Sequence, residues 1–246
     1  MRKRLLPIVL WSFLAAGGLL AQHGSIFGFK GGLALSNQQW EAFQREPVLF
    51  LQGDVFIESL PAENQFSLFA QAGYHPRGSA IQSRLVNNPF NGQLFRDPRR
   101  RFIFHNASLV LGAKQKFEFS GSSQAYYILG VRGDYTIDTN LDEFQDENEG
   151  FAPIFPIDDE RFIRRFNYGV TVGGGWEFQF SEFVGGMIEL SFHPDLSLQY
   201  EQPAGTVQIN NPQYVGQYNI PQRRIRNLAL ELSLGLRFLR KVVYVD

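Results

Sequence analysis

Glu189, Ser191 and His193 stand at alternate positions of one short segment, so in an extended strand their side chains share a face. A hydroxyl, an imidazole and a carboxylate brought together are the parts of an acyl-transfer or hydrolytic site, in which the ring takes the hydroxyl proton and the acid orients the ring. The intervening residues argue against that use. Ile188, Leu190 and Phe192 make the opposite face greasy, and an enzyme acting on lipid would have to turn the serine and histidine toward that side. The trio is expected to join a polar network, and the chain is expected to be no enzyme, with no catalytic residue, metal or cofactor.

Two further groups could do chemistry. Asp138, Asp142, Glu143, Asp146, Glu147, Glu149, Asp158, Asp159 and Glu160 crowd one segment. Clustered carboxylates can bind calcium, but the spacing matches no ordered ligand loop, and a solvated charged loop is the expectation. Arg96, Arg99, Arg100 and Arg101, with Arg223, Arg224 and Arg226, are basic. They could clamp phosphates by charge-assisted hydrogen bonds or pair with the acidic segment, and pairing is favoured. An apolar run, Phe151-Ala152-Pro153-Ile154-Phe155-Pro156-Ile157, interrupts the acidic segment and either meets a partner or folds down over what lies beneath. Asn210-Asn211-Pro212, Tyr214, Tyr218 and Pro221 form a similar mixture. The residues singled out for external contact are Arg99, Arg100, Arg101, Phe151, Ile154, Phe155, Tyr214, Tyr218, Arg223 and Arg224.

The elements that must position these groups follow from composition and periodicity. The 246 residues are 44% hydrophobic and 15% aromatic with a formal charge of -1, which gives no basic footprint for nucleic acid. There is no cysteine, so disulfides, thiolate metal sites, cysteine nucleophiles and a lipidated N-terminal cysteine are excluded. Arg2, Lys3 and Arg4 precede an apolar run from Leu5 to Leu20 that closes on small residues and Ala21-Gln22. That order predicts a cleavable signal peptide over residues 1–21 and a mature domain over 22–246. The run falls short of the roughly 20 apolar residues a spanning helix needs.

From Ser25 onward the repeat is two residues, the period of a strand. Leu228, Leu230, Leu232, Leu234, Leu236 and Phe238 alternate with Asn227, Ala229, Glu231, Ser233, Gly235 and Arg237. The same pattern, clean at 166–180, recurs less strictly at 27–35, 49–58, 66–75, 103–117, 127–137 and 184–193, which makes eight candidate strands. The connections alternate. Residues 61–64, 120–123 and 181–182 are short, whereas 36–47, 77–101, 138–164 and 194–226 are long. Membrane barrels have this asymmetry, with tight periplasmic turns and free external loops, and an even strand number leaves both ends periplasmic.

Periodicity alone does not say which face is inside, and a soluble lipocalin-like barrel would reverse the arrangement. Side-chain size favours the membrane arrangement. The polar faces hold Gly28, Gly32, Gly73, Gly112, Gly130, Gly169, Gly173, Gly175 and Gly235, as the narrow interior of eight strands requires. Those faces also carry Lys30, Asp54, Glu58, Lys114, Lys116, Arg132, Asp134, Glu177, Glu189, Glu231 and Arg237. Inside a narrow barrel these charges have to pair, since an unpaired buried charge costs several kcal/mol. The expected lumen is therefore plugged by an ion-pair network, which disfavours a small pore or uptake protein. Phe27, Phe29, Tyr74, Tyr135, Phe166, Tyr168, Trp176, Phe178 and Phe180 cluster near strand ends, where interfacial girdles belong.

The signal ending in Ala-Gln, the opening Phe27-Gly28-Phe29-Lys30-Gly31-Gly32, the run Gly73-Tyr74-His75-Pro76-Arg77-Gly78 and the closing Leu234-Gly235-Leu236-Arg237-Phe238 resemble the PorT-like outer-membrane β-barrel proteins of Bacteroidetes. The resemblance implies an eight-stranded barrel integral to the outer membrane, in a family whose name-giving member belongs to a secretion machine. The chain departs by continuing through residues 239–246, where many such barrels stop at the aromatic residue. The assembly signal is then internal, around Gly235 to Phe238, or the tail is a periplasmic contact segment.

The fold read from the sequence is an eight-stranded antiparallel up-and-down transmembrane β-barrel with short periplasmic turns and long external loops. The expected role is a non-enzymatic binding or scaffolding component of the envelope, through its external loops or as a subunit of a larger outer-membrane (secretion or transport) complex, with a small pore or uptake protein and then a lipid-modifying envelope enzyme as the alternatives. No residue motif here is specific to the secretion machine. The expected partners are outer-membrane lipid, lipopolysaccharide and outer-membrane proteins, with no nucleic acid.

Overall fold

The structure is a computed structural model describing residues 24–40, 44–61, 65–81, 85–87, 94–96, 99–145, 155–211 and 214–240. The expected signal peptide and the end of the tail lie outside the described residues, as do Phe151 and Ile154. In chain order the strands are β1 Ser25–Gln39, β2 Arg45–Ser59, β3 Phe66–Ile81, β4 Leu85–Asn87, β5 Leu94–Arg96, β6 Arg100–Ser120, β7 Ser123–Thr139, β8 Phe166–Gln179, β9 Val184–Pro194, β10 Tyr200–Gln202, β11 Gly205–Asn211, β12 Tyr214–Ile220 and β13 Arg223–Arg240.

Eight of these, β1, β2, β3, β6, β7, β8, β9 and β13, form an antiparallel ring in chain order. It closes where β1 pairs with β13, from Ser25↔Arg240 to Gln39↔Arg226. Closure satisfies the backbone donors and acceptors that an open edge would leave bare, the condition for strands to lie in hydrocarbon. β4 pairs with β5 and β11 with β12 in separate ribbons, and β10 extends β13 by three residue pairs.

The faces divide as side-chain size predicts. Leu230, Leu232, Leu234 and Leu236 are 38 to 63% exposed, while Ala229, Glu231 and Ser233 between them are 1 to 2% exposed. Val55, Leu129, Val131, Val172 and Leu190 are likewise turned out. A continuous belt of this kind far exceeds the apolar patch a soluble monomer exposes, and lipid is the solvent that suits it. Tyr74, Ala107, Tyr135 and Phe166 form one outward register row across β3, β6, β7 and β8. Phe66, Phe117, Tyr127, Trp176, Phe180 and Phe183 stand exposed toward the short-turn end. These are two aromatic girdles.

Several boundaries differ from the expected ones. β3 runs to Ile81 instead of His75, and β6 begins at Arg100, so the barrel wall continues into what read as loop. Pro76 and Gly78 make that stretch look like a turn. Pro76 stays opposite His105 in the β3–β6 ladder, while regular β2–β3 pairing lapses between Pro47↔Ser79 and Gly53↔Tyr74, which leaves its β2 side without a regular ladder to demand the missing N–H. The first connection shrinks to residues 40–44, and the fourth contains β10 and the β11–β12 ribbon.

Two inward glycines stand where the neighbouring strand leaves no room for a side chain. A Cβ on Gly32 would stand 1.9 Å from the Leu232 carbonyl oxygen, and one on Gly73 would stand 2.1 Å from Asp54 Oδ1.

Candidate functional site

Alternation along each strand delivers the polar side chains inward, and they form layers. Nearest the short turns, Lys114 lies 2.7 Å from Glu58 and 2.9 Å from Glu177, and Lys116 lies 2.5 Å and 2.9 Å from the same two carboxylates. Arg237 also pairs with Glu177, and Lys30 pairs with Glu189. The Tyr126 hydroxyl donates to Glu189 at 2.9 Å, with the Lys114 ammonium 4.3 Å from the centre of its ring.

An apolar layer follows, built from Phe56, Phe69, Val110, Ile128 and Met187. On β2, Phe56 separates Glu58 from Asp54, and on β7, Ile128 separates Tyr126 from Arg132. The lumen is thus not polar along its whole length, a feature the less regular strands concealed.

The middle layer centres on Glu231. Its Oε1 lies 3.0 Å from His75 Nδ1 and 2.7 Å from Arg77 Nη1, and its Oε2 lies 3.2 Å from His193 Nε2. His75 Nε2 reaches Asp54 at 2.7 Å. Ser191 Oγ is 2.8 Å from His193 Nε2, and Thr171 Oγ1 is 3.0 Å from Nδ1. Serine and carboxylate therefore crowd one ring nitrogen, whereas a hydrolytic triad puts them on opposite nitrogens. Ser191 and His193 are 2% and 1% exposed. Glu189 stands apart with Lys30 and Tyr126.

Above this, Arg132 pairs with Asp134 at 2.7 Å and with Asp195, and Ser108 donates to Asp134 at 2.5 Å. Asn227 donates to Asp195 at 2.7 Å, and Gln199 donates to Asn106 and Thr136. Within this network the cations Lys30, Arg77, Lys114, Lys116, Arg132 and Arg237 face Asp54, Glu58, Asp134, Glu177, Glu189, Asp195 and Glu231. The carboxylates exceed the cations by one. His75 has a carboxylate on each ring nitrogen, Glu231 on Nδ1 and Asp54 on Nε2.

The long-loop end is closed by a second apolar core of Ile81, Phe102, Phe104, Leu141, Phe144, Ile163, Tyr200 and Ile225, with Trp40, Phe155 and Phe162 against it. Phe102 and Phe144 stack at 4.6 Å between ring centres. Phe155 thus folds down over the mouth, and the Arg100 guanidinium lies 4.9 Å from its ring centre. Arg223 corrects an expectation. It was placed at the outer surface, yet it is 4% exposed and donates to the Phe155 carbonyl at 2.7 Å and to Gln202, because it continues the inward phase of β13. Arg101 is exposed, and Tyr214 and Tyr218 lie on β12.

The favoured pairing of basic loops with the acidic one gives way in two places: Arg99 pairs with Glu46 at 3.3 Å and Arg224 with Glu201 at 3.5 Å, both outside the acidic segment. Asp138, Asp142, Glu143, Asp158 and Glu160 instead line a cleft of about 450 Å³ with His105 and Arg165. Burial, then Asp142 and Asp138, push the Asp158 carboxyl up. Among the described residues no group of three or more carboxylates or histidines is arranged to hold a metal ion.

His75, Arg77, Thr171 and Asp195 are not among the network residues expected from the sequence, whereas His193 and Ser191 do join the polar network as expected. The period-two phase Gln71, Gly73, His75, Arg77, Ser79 was available to place Arg77, had Pro76 not suggested a turn.

No family model matches the chain, and no curated protein matches it in sequence. Among solved structures it is similar to the outer membrane protein OprG from Pseudomonas aeruginosa, at 11% identity over 88% of this chain and 97% of that one, with a TM-score of 0.49. It is also similar to Neisserial surface protein A, at 11% identity over 86% and 96% with a TM-score of 0.42. The outer membrane protease OmpT from Escherichia coli matches at 7% over 88% and 96%, with a TM-score of 0.42. At such identity and overlap no property of those proteins carries over.

Proposed function

We propose that the chain is an integral outer-membrane protein that works as a binding or scaffolding component of the cell envelope, with its termini in the periplasm and its cap outside. The observation that carries this reading is the double closure of the lumen, by paired charges around Glu58, Glu177 and Glu231 and by the apolar core at the mouth. A conduit would need water-filled continuity, which Phe56 and Ile128 interrupt. An enzyme acting on lipid would need Ser191 and His193 outside, and they are buried inside. What remains for contact is the lipid-facing belt, the cap and the loops, suited to outer-membrane lipid, lipopolysaccharide and protein partners in a larger secretion or transport complex. The PorT-like resemblance of Phe27–Gly32, Gly73–Gly78 and Leu234–Phe238 belongs to this proposal as a likeness of residues.

The test is purification of the native chain from outer membranes with its companions, followed by single-channel recording of the purified barrel. Expected are a band that shifts on boiling, stoichiometric co-purifying protein and no conductance above background. Steady conductance with no companion would replace this reading with a pore.

A further inference from the structure

The β11–β12 ribbon stands alone. Its strands pair from Gly205↔Ile220 to Asn211↔Tyr214, and among the described residues neither pairs with a third strand. A lone two-stranded hairpin is marginal in water, and its outer edges present rows of backbone donors and acceptors that want another strand. Proteins guard such edges with charge. Here 19% of the chain is charged, yet residues 203–222 contain no Asp, Glu, Lys or Arg. Thr206, Val207, Gln208, Gln217 and Asn219 are exposed, while Ile220 is buried and roots the ribbon in the cap.

We infer that the β11–β12 ribbon is a strand-addition site that takes an extended, uncharged segment of a partner protein along its free edge. The inference rests on the binding reading above and deepens it. A phosphate-bearing lipid would need cations, which this segment lacks, whereas a polypeptide backbone matches a strand edge donor for acceptor, leaving alternate side chains to set specificity.

The probe is a labelled synthetic heptapeptide of alternating Thr and Val, uncharged and not a copy of any segment of this chain, added to the full-length chain in lipid nanodiscs. Binding is read by anisotropy and by amide hydrogen exchange over residues 205–220. Saturable binding is expected, with exchange slowed about tenfold or more and affinity about tenfold lower for the same peptide N-methylated at alternate amides. Gln208 and Gln217 face each other across the ribbon. The double variant Gln208→Lys with Gln217→Glu keeps that pair attractive while charging both strands, and it is expected to weaken binding similarly; its own exchange pattern without peptide reports whether the ribbon has formed. No slowing, or equal binding of the N-methylated peptide, overturns the inference.

The chain has no native cysteine, so a disulfide between two purified copies of Gln208→Cys would assign the edge to a second copy and overturn a foreign partner. If companions co-purify equally with the charged double variant, the ribbon inference fails while the binding reading stands. Conductance without companions removes that reading whatever the peptide does.

Discussion

His75 and Glu231 meet across the lumen from β3 and β13, strands that do not pair: His75 Nδ1 lies 3.0 Å from Glu231 Oε1, and the same oxygen receives Arg77 Nη1 at 2.7 Å. One carboxylate thus holds a histidine and an arginine that would otherwise be buried without an acceptor on that side.

Glu231→Ala should cost about 3–5 kcal/mol of barrel stability, because it leaves Arg77 buried and unpaired. Urea unfolding of the barrel in lipid vesicles measures this. The double variant Arg77→Met with Glu231→Leu should recover most of the loss, since it removes both charges and keeps the volume. A double variant as unstable as Glu231→Ala would show that the loss comes from packing.

Gly73→Val should block assembly, because its Cβ falls on Asp54. Gly53→Val, whose Cβ meets only the Lys30 carbonyl oxygen at 3.7 Å, should assemble normally. Heat-modifiable gel migration of the two variants side by side is the check, and equal behaviour would contradict the inward and outward assignment.

Leu232 is half exposed on the greasy face. Leu232→Arg should destabilise the barrel by about 2–4 kcal/mol if the residue lies near the bilayer midplane. The same unfolding assay reads it, and a neutral result would place Leu232 away from the bilayer midplane.

Asp158 resists ionisation in the folded cap, since burial and its neighbours Asp142 and Asp138 raise its pKa. A raised carboxylate pKa means the folded state binds the proton more tightly than the unfolded one, so this residue's contribution to cap stability improves as pH falls through the folded value. Asp158→Asn should therefore slow amide exchange at Leu141 and Phe144 at neutral pH and remove that part of the pH dependence. An unchanged profile would sink this assignment.

Much of the wall was legible beforehand. The leucine ladder of β13 and the glycines opposite it specify both pairing period and facing, because a register slip of one residue would turn every side chain to the wrong solvent. The alternation of short and long connections gave the strand order around the ring. The cap was not legible. Its core takes Phe102, Phe104 and Tyr200 from strands and Leu141, Phe144 and Phe155 from a stretch without repeat, and a core assembled from distant segments leaves no local period.

The sequence by itself determined that the chain closes as eight antiparallel strands with small and polar residues inside, because side-chain alternation and size are properties of each strand alone. Only the tertiary structure decided which charges meet, that Glu231 and not Glu189 holds the histidines, and that Arg77 and Arg223 are buried. Those outcomes depend on register and on the distance across the lumen, which no single strand encodes.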